Sequence, residues 1–406
     1  MTGIVIVADD LTGAADSAVA FAGGADTAVS VDPAAEWPDA TVVAVDTDSR
    51  YAPADVAAAR VTAAARRAVA AGARVVKKID STLRGNVAAE IVAAAEAVGQ
   101  QDRPALAVLA PAFPATGRTT SGGVVHVEGR PLPDRRHQGD ISALLAAAGQ
   151  TARAFGLDVV RDPATLVACF AQAYAEGLDA VVCDGATAAD LAAVVAAAAG
   201  AGHPVLLVGS GGITAALATA AGPVLKVPVT APPGRSLAVV GSYSDLARAQ
   251  RAALVAAGWT AVVVPPGATD LRTAVTAVRT GLATGDVVLS PDPREPVDRG
   301  AARSTARALA TVAVAAVRRV DGSDTAAVSV LAATGGETAR AVMAELGATE
   351  VRLVGELEPG VVAGRLAGTT ALFVTKAGAF GDPSTLVRVL RAVRGANGGH
   401  RISAGE

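Results

Sequence analysis

Two cysteines, Cys169 and Cys183, are all that 406 residues provide, so no disulfide framework can hold this chain together. Both lie in apolar segments, where a thiol acts as a small buried hydrophobe. Aromatic residues make up only 3% of the sequence, which leaves core packing to Ala, Val and Leu. No apolar run reaches the ~18 uninterrupted residues of a membrane span. The opening stretch, MTGIVIVADD, lacks the basic segment and cleavage site of a secretory leader, so a cytoplasmic protein is expected. Charge of one sign is also missing. With 35 Lys+Arg against 38 Asp+Glu the formal net charge is −3, which removes the basic face that nucleic-acid and membrane-surface binding require. The four histidines, His126, His137, His203 and His400, are scattered without metal-ligand spacing, and no metal site is expected. No Walker A loop, no G-x-G-x-x-G after a strand and no G-x-S-x-G elbow occurs, so the simplest nucleotide and hydrolase signatures are absent.

What is present is a rhythm. GIVIVA, TVVAVD, RVVKKI, ALAVLA, LDVV, DAVVCD and PVLLVG read as short buried strands, with Ala-rich helical runs between most of them. This alternation predicts a largely parallel sheet covered by helices. GGVVHVEGRPL, Gly122 to Leu132, breaks the rhythm and reads as a hairpin turning near Glu128-Gly129. The stretch VPVTAPPGR, Val227 to Arg235, reads as a linker. Beyond it the rhythm restarts with SLAVVGS, TAVVVPP, DVVLSPD, VSVLAATGG, EVRLVGE and TALFVTKAG. The expected architecture is therefore two α/β domains, residues 1–230 and 231–406, with largely parallel sheets covered by helices and the active site in the cleft between them.

Ligands of open α/β sheets bind beyond the carboxyl ends of the strands. In the first half those ends carry DDLTG, DTDSR, KKIDSTLRGN, APAFPATGRTT and GSGG. If the strands are neighbours, Asp10, Arg50, Lys78, Asp80, Ser81, Thr82, Arg84 and Arg118 form one polar rim suited to a small, anionic, hydroxylated ligand, because Arg takes a carboxylate bidentately and Asp accepts from hydroxyls. In the second half the ends carry VGSYSD, TGGETA and TKAGAFGD, loops rich in glycine and hydroxyls that open helices and can turn backbone N–H groups toward a phosphate. Plainer readings stand beside these. Asp9 or Asp10 can be a simple helix cap, Asp80 to Thr82 can cap the helix after Asn86, Arg50 and Arg84 can be surface ion pairs, and each glycine can serve a turn.

VADDLTGAAD, KKIDSTLRGN and APAFPATGRTT, in that order, resemble the four-carbon acid sugar kinases, and TGGETA and TKAGAFGD resemble that family's nucleotide-binding half. The resemblance spans almost the whole chain. It implies an ATP-dependent kinase, with Mg2+, that phosphorylates the O4 hydroxyl of D-threonate, D-erythronate or 3-oxo-tetronate. By motif it implies substrate contacts at Asp10, Arg50, Lys78, Asp80, Ser81, Thr82 and Arg84, with Asp10 and Asp80 as the candidate catalytic acids. Nucleotide contacts are implied at Ser242, Gly335, Gly336, Glu337, Thr338, Gly378 and Gly381. Partners beyond ATP and the sugar acid are not implied, and self-association into a homo-oligomer stays open. A kinase of another hydroxy acid, or a sugar-acid binding protein without transfer, are the competing expectations.

Overall fold

The computed structural model describes residues 3–100, 103–133, 137, 139–223, 228–242, 244–265, 267–293, 302–318, 328–378 and 380–395. Val227 of the expected linker, Tyr243, Ala379 and His400 lie outside the described residues. The chain divides into two compact units, Met1–Leu225 and Lys226–Glu406. No helix among the described residues is long and apolar enough to cross a membrane.

Unit 1 runs β1 (Ile4–Ala8), α1 (Leu11–Ala18), β2 (Thr27–Ser30), β3 (Val42–Asp46), α2 (Ala54–Ala70), β4 (Arg74–Lys78), α3 (Val87–Val98) and β5 (Leu106–Ala110). A hairpin sheet follows, β6 (Arg118–Ser121), β7 (Val124–Val127) and β8 (Arg130–Pro131). Then come α4 (Ile141–Ala146), β9 (Ala152–Phe155), α5 (Leu157–Val160), α6 (Pro163–Ala175), β10 (Ala180–Cys183), α7 (Ala188–Ala199), β11 (Val205–Gly209) and α8 (Gly211–Ala221). Its main strands are ordered β2-β3-β1-β4-β11-β5-β10-β9, all parallel. Because strand side chains alternate, Val5, Val7, Val43, Val45, Val75 and Val208 face α2, α3 and α4 on one side. The other side meets α1, α6, α7 and α8. The hairpin turns at Glu128-Gly129 as expected, and β6 adds a third strand through Gly122-Gly123. LDVV is a correction. It forms the helical turn α5, opened by Gly156 and burying Val160, and the strand is the preceding Ala152–Phe155.

Unit 2 runs β12 (Arg235–Val240), α9 (Asp245–Ala256), β13 (Thr260–Val264), α10 (Arg272–Thr284), β14 (Val287–Pro291), α11 (Ala302–Val317), β15 (Val328–Thr334) and α12 (Gly336–Leu346). It closes with β16 (Glu350–Glu358), β17 (Val361–Leu366), β18 (Leu372–Lys376) and α13 (Thr385–Gly395). The strand order is β13-β14-β12-β15-β18-β17-β16, parallel except around β17, which runs antiparallel to both neighbours. Ala238, Val240, Val330, Ala332, Leu372 and Val374 pack on α9 and α13 through Ala247, Leu254, Leu386, Val389 and Leu390. Helices α10, α11 and α12 touch the strands from the opposite face.

Right-handed crossovers fix where each unit opens. In unit 1 the chain leaves β1 toward β2 and leaves β4, the strand beside β1, in the opposite direction toward β5. In unit 2 it leaves β12 toward β13 and leaves β15, beside β12, toward β16. Two neighbouring strands whose connections diverge leave a crevice at their carboxyl ends. The crevice of unit 1 therefore lies between the loops after Ala8 and Lys78, and that of unit 2 between the loops after Val240 and Thr334.

Candidate active site

The adjacent aspartates after β1 do separate jobs because consecutive residues leave an extended chain in different directions. Asp10 is the N-cap of α1, its Oδ1 accepting the Gly13 amide at 2.9 Å and its Oδ2 the Thr12 hydroxyl at 2.8 Å. Asp9 is clamped by Arg50, whose Nε and Nη2 donate to the two Asp9 oxygens at 2.7 and 2.8 Å. Arg50 Nη1 reaches Asp10 Oδ2 at 2.8 Å, and Nη2 lies 3.7 Å from Asp80 Oδ1. Cap and charged-site readings of Asp10 thus hold together. Arg50 is buried, so it is not a surface pair, and burial opposes its charge while Asp10, Asp9 and Asp80 stabilise it.

Asp80, beyond the end of β4, receives Arg84 as a fork, Nε at 2.8 Å and Nη2 at 2.6 Å, together with the Thr82 hydroxyl at 2.5 Å. Burial alone would raise its pKa. The Arg84 hydrogen bonds and the charges of Arg50 and Arg84 override that and hold the carboxyl well below the usual carboxylate range. Gly85, with φ +92°, lets this loop lie against Asp9 and Arg50, where an added Cβ would come within 3.2 Å of Asp9 Oδ2. Lys78 is buried, its Nζ donating to the Ile79 carbonyl at 2.9 Å. It also faces Gly13, where a Cβ would sit 3.2 Å from Nζ and 2.6 Å from Asp10 Oδ1. Asp10, Arg50, Lys78, Asp80, Thr82 and Arg84 are therefore brought together. Ser81 is buried in the same loop.

Beneath them lies a layer that motif reading missed. Lys77 points to the face opposite Lys78 and is completely buried. Its ammonium contacts Glu90 of α3 at 2.8 Å, the Lys78 carbonyl at 2.7 Å and the Val7 carbonyl at 3.2 Å. Glu90 also accepts from Ser49 at 2.6 Å. One ion pair thus ties the ends of β1 and β4 and the loop carrying Arg50. The GSGG loop, counted in the rim by sequence, follows β11 beside β4 and packs tightly. A Cβ at Gly211 would lie 2.6 Å from the Phe113 ring and 2.7 Å from Asp16.

In unit 2 three loops converge. Ser244 caps α9 by accepting the Ala247 amide at 3.1 Å and donates to the Gly378 carbonyl at 2.9 Å. Gly378 approaches Ser242 so closely that a Cβ there would be 2.5 Å from Ser242 Oγ. Gly335, with φ +90°, is the N-cap of α12 and offers no side-chain cap, leaving the first-turn N–H groups of that helix, which begins at Gly336, for another acceptor. Its Cβ position is 3.5 Å from Ser242 Cβ. So Ser242, Gly335 and Gly378 meet, and Gly336 opens the helix beside them. Thr338 is buried against Gly241. Glu337 turns away to Arg303 at 3.5 Å, and Gly381, with φ +81°, belongs to the turn into α13 against Thr385. Lys376, the last residue of β18, was not singled out by sequence. It is 1% exposed, its Nζ donates to the Ala377 carbonyl at 2.6 Å, and burial pulls its pKa down to about 8.

Residues 4–217 match a family model described as a sugar-binding N-terminal domain, and residues 237–386 one described as a nucleotide-binding C-terminal domain. A D-threonate kinase of Cupriavidus necator is 41% identical over 96% of this chain and 97% of its own. The chain belongs to the four-carbon acid sugar kinase family. Another member, a D-erythronate kinase of Heliobacterium modesticaldum, is 36% identical over 62% of this chain and 60% of its own. The crystal structure of a Salmonella typhimurium LT2 protein matches with a TM-score of 0.78 at 22% identity, covering 96% of this chain and 99% of that one. At that identity the likeness is one of fold. Within this family member, the charged crevice falls in the sugar-binding segment and the glycine-hydroxyl crevice in the nucleotide-binding segment.

Proposed function

We propose that this chain is an ATP-dependent kinase that phosphorylates the O4 hydroxyl of a four-carbon sugar acid, with D-threonate as the preferred acceptor. The observation that carries the reading is the pairing of a charged crevice in the sugar-binding segment with a glycine-hydroxyl crevice in the nucleotide-binding one. D-threonate is favoured because the relative of that name is the more similar of the two and matches over nearly its full length. Residues 1–230 hold the acid and residues 231–406 hold the nucleotide.

In this reaction the O4–P bond forms, the bond from the γ-phosphorus to the β,γ-bridging oxygen breaks, and the O4 proton passes to a base. Asp10 suits the contact with the acceptor hydroxyl. Three hydrogen bonds fill three of its roughly four acceptor positions, and at 18% its side chain is more exposed than the 4% of Asp9 or 8% of Asp80. Asp80 is a poor proton acceptor, because two arginines stabilise its anion. Its role is to hold Arg84 and the Ser81–Thr82 loop against the acid. Arg50 keeps Nη hydrogens beyond those given to Asp9 and Asp10, and with Lys78 it supplies positive charge for the substrate carboxylate.

Phosphoryl transfer depends on positioning and charge neutralisation more than on covalent catalysis. Among the described residues no group of three His, Cys, Asp or Glu side chains is placed to hold a metal ion. Mg2+ enters this reading on the phosphates of ATP as part of the substrate, since it prefers phosphate oxygens and water to an all-protein cage. We place the enzyme in the cytoplasm, where ATP is available and its thiols stay reduced.

A coupled ADP-release screen of D-threonate, D-erythronate, 3-oxo-tetronate and their five-carbon analogues tests this reading, with phosphorus NMR to locate the new ester. The expected result is turnover on D-threonate and a phosphate on O4. Acid binding without ADP release would make the chain a binding protein, and preference for a five-carbon acid would make it a kinase of another hydroxy acid.

A further inference from the structure

A buried ammonium is costly unless a counter-charge accompanies it. Lys376 has none among the described residues: its one hydrogen bond goes to the neutral Ala377 carbonyl, and no carboxylate lies within ion-pair distance. Among the described residues no charged side chain of a neighbouring element offsets the burial that lowers its pKa. Its register partner across the β15–β18 ladder is Thr334, whose hydroxyl is also buried and makes no hydrogen bond among the described residues. Alternation along β18 puts Lys376 on the same face as Leu372 and Val374, toward α9 and α13. The carbonyl it touches immediately precedes Gly378, whose own carbonyl takes the Ser244 hydroxyl. Thr334 in turn immediately precedes Gly335, the bare N-cap of α12. A buried ammonium without a counter-charge and a buried hydroxyl without a hydrogen bond among the described residues thus stand at the carboxyl ends of adjacent strands, at the base of two glycine loops. A structural role explains neither. A core position would be better filled by an apolar side chain, and an ion pair would need a partner.

We infer that Lys376, with Thr334 beside it, forms an anion subsite in unit 2 that binds the phosphate chain of the nucleotide and supplies its counter-charge. The inference rests on the kinase reading for the identity of the anion, but the subsite itself is a property of the fold. A phosphate drawn into this position would satisfy the ammonium and the Thr334 hydroxyl together. It would also favour the protonated lysine, because a nearby anion stabilises the charged form. Binding would then draw protons from solution near pH 8, where the lysine of the empty protein is partly neutral.

Calorimetry on the full-length protein tests this, with ATP, inorganic tripolyphosphate and D-threonate as separate probes. In the unsubstituted protein at pH 8, the heat of ATP and tripolyphosphate binding should vary with the ionisation enthalpy of the buffer, reporting proton uptake. Lys376→Met should weaken both phosphate ligands at least tenfold and remove the buffer dependence, with D-threonate affinity unchanged. Thr334→Val, a near-isosteric change, should weaken both several-fold and serves if Lys376→Met does not fold. Unchanged phosphate affinity in both variants, or buffer-independent heats in the unsubstituted protein, would overturn the inference while leaving the kinase reading intact. Binding of tripolyphosphate but not ATP would keep the subsite and overturn the nucleotide reading. Binding of neither would overturn both.

Discussion

Lys78 and Lys376 occupy matching situations in the two units and carry different charge environments. Each is the last residue of a strand, each is buried, and each gives its ammonium to the carbonyl of the next residue. Lys78 stands beside Asp10 and Gly13 in a crevice where three aspartates answer Arg50 and Arg84. Lys376 stands among glycines and hydroxyls with no carboxylate within ion-pair distance among the described residues. A crevice whose charges are already balanced can orient a small acid by exchanging hydrogen bonds at little electrostatic cost. A crevice with an uncompensated cation is completed only by an incoming anion. The contrast is the physical basis of the proposed division between acid and nucleotide.

The sharpest way to break the comparison is at Asp10. Asn caps a helix about as well as Asp, so Asp10→Asn should fold. Removing the carboxylate proposed to meet the acceptor hydroxyl should lower kcat/KM on D-threonate by about 10²–10⁴-fold. Steady-state kinetics check this, and rates within a few-fold of the original would reduce Asp10 to a cap. Next in size is the layer below. Lys77 and Glu90 are both buried and paired, and removing one partner of such a pair costs about 3–5 kcal/mol. Glu90→Gln should therefore lower the midpoint of chemical unfolding strongly. Replacing both residues with apolar ones should recover much of the loss, and a double-mutant cycle by denaturant titration measures it.

Lys376→Met should shift stability the other way. The lysine titrates at about 8 in the folded chain, below its ordinary value, so the folded state binds the proton less tightly than the unfolded one. Its presence destabilises the empty protein fully below pH 8, and this cost fades as pH rises toward the unfolded value. The variant should gain up to about 3 kcal/mol near pH 7, with the gain shrinking above pH 8. Melting curves of both proteins from pH 6 to 10 check it, and a loss of stability near pH 7 would argue for a structural lysine.

The β/α alternation was legible because fully buried parallel strands write themselves as runs of Val, Ile, Leu and Ala. LDVV misled because a four-residue apolar run has no period to tell a strand from one turn of helix. Thr27–Ser30 and Val361–Leu366 went unread, the first for its brevity and the second because Gly364 and Arg365 interrupt it. The strand-end loops are legible in the sequence, but strand order decides which of them meet. Only the divergence at β1/β4 and at β12/β15 shows that DDLTG faces KKIDSTLRGN, and VGSYSD faces TGGETA. The pairing of Lys77 with Glu90 was hidden because its partner sits mid-helix in an Ala-rich run, with no motif of its own. Lys376 was hidden for the opposite reason, since its signal is the absence of a partner.

The proposed division of labour between the two crevices is open to a direct test. Calorimetric titration of full-length Asp10→Asn and Gly378→Val with ATP and with D-threonate tests it in one experiment. A side chain at Gly378 would collide with Ser242 and displace the loop at the crevice proposed for the nucleotide. The prediction is a crossed pattern: Asp10→Asn keeps ATP affinity and loses D-threonate affinity at least tenfold, while Gly378→Val keeps D-threonate and loses ATP. Loss of D-threonate but not ATP in Gly378→Val, or of ATP but not D-threonate in Asp10→Asn, would contradict it.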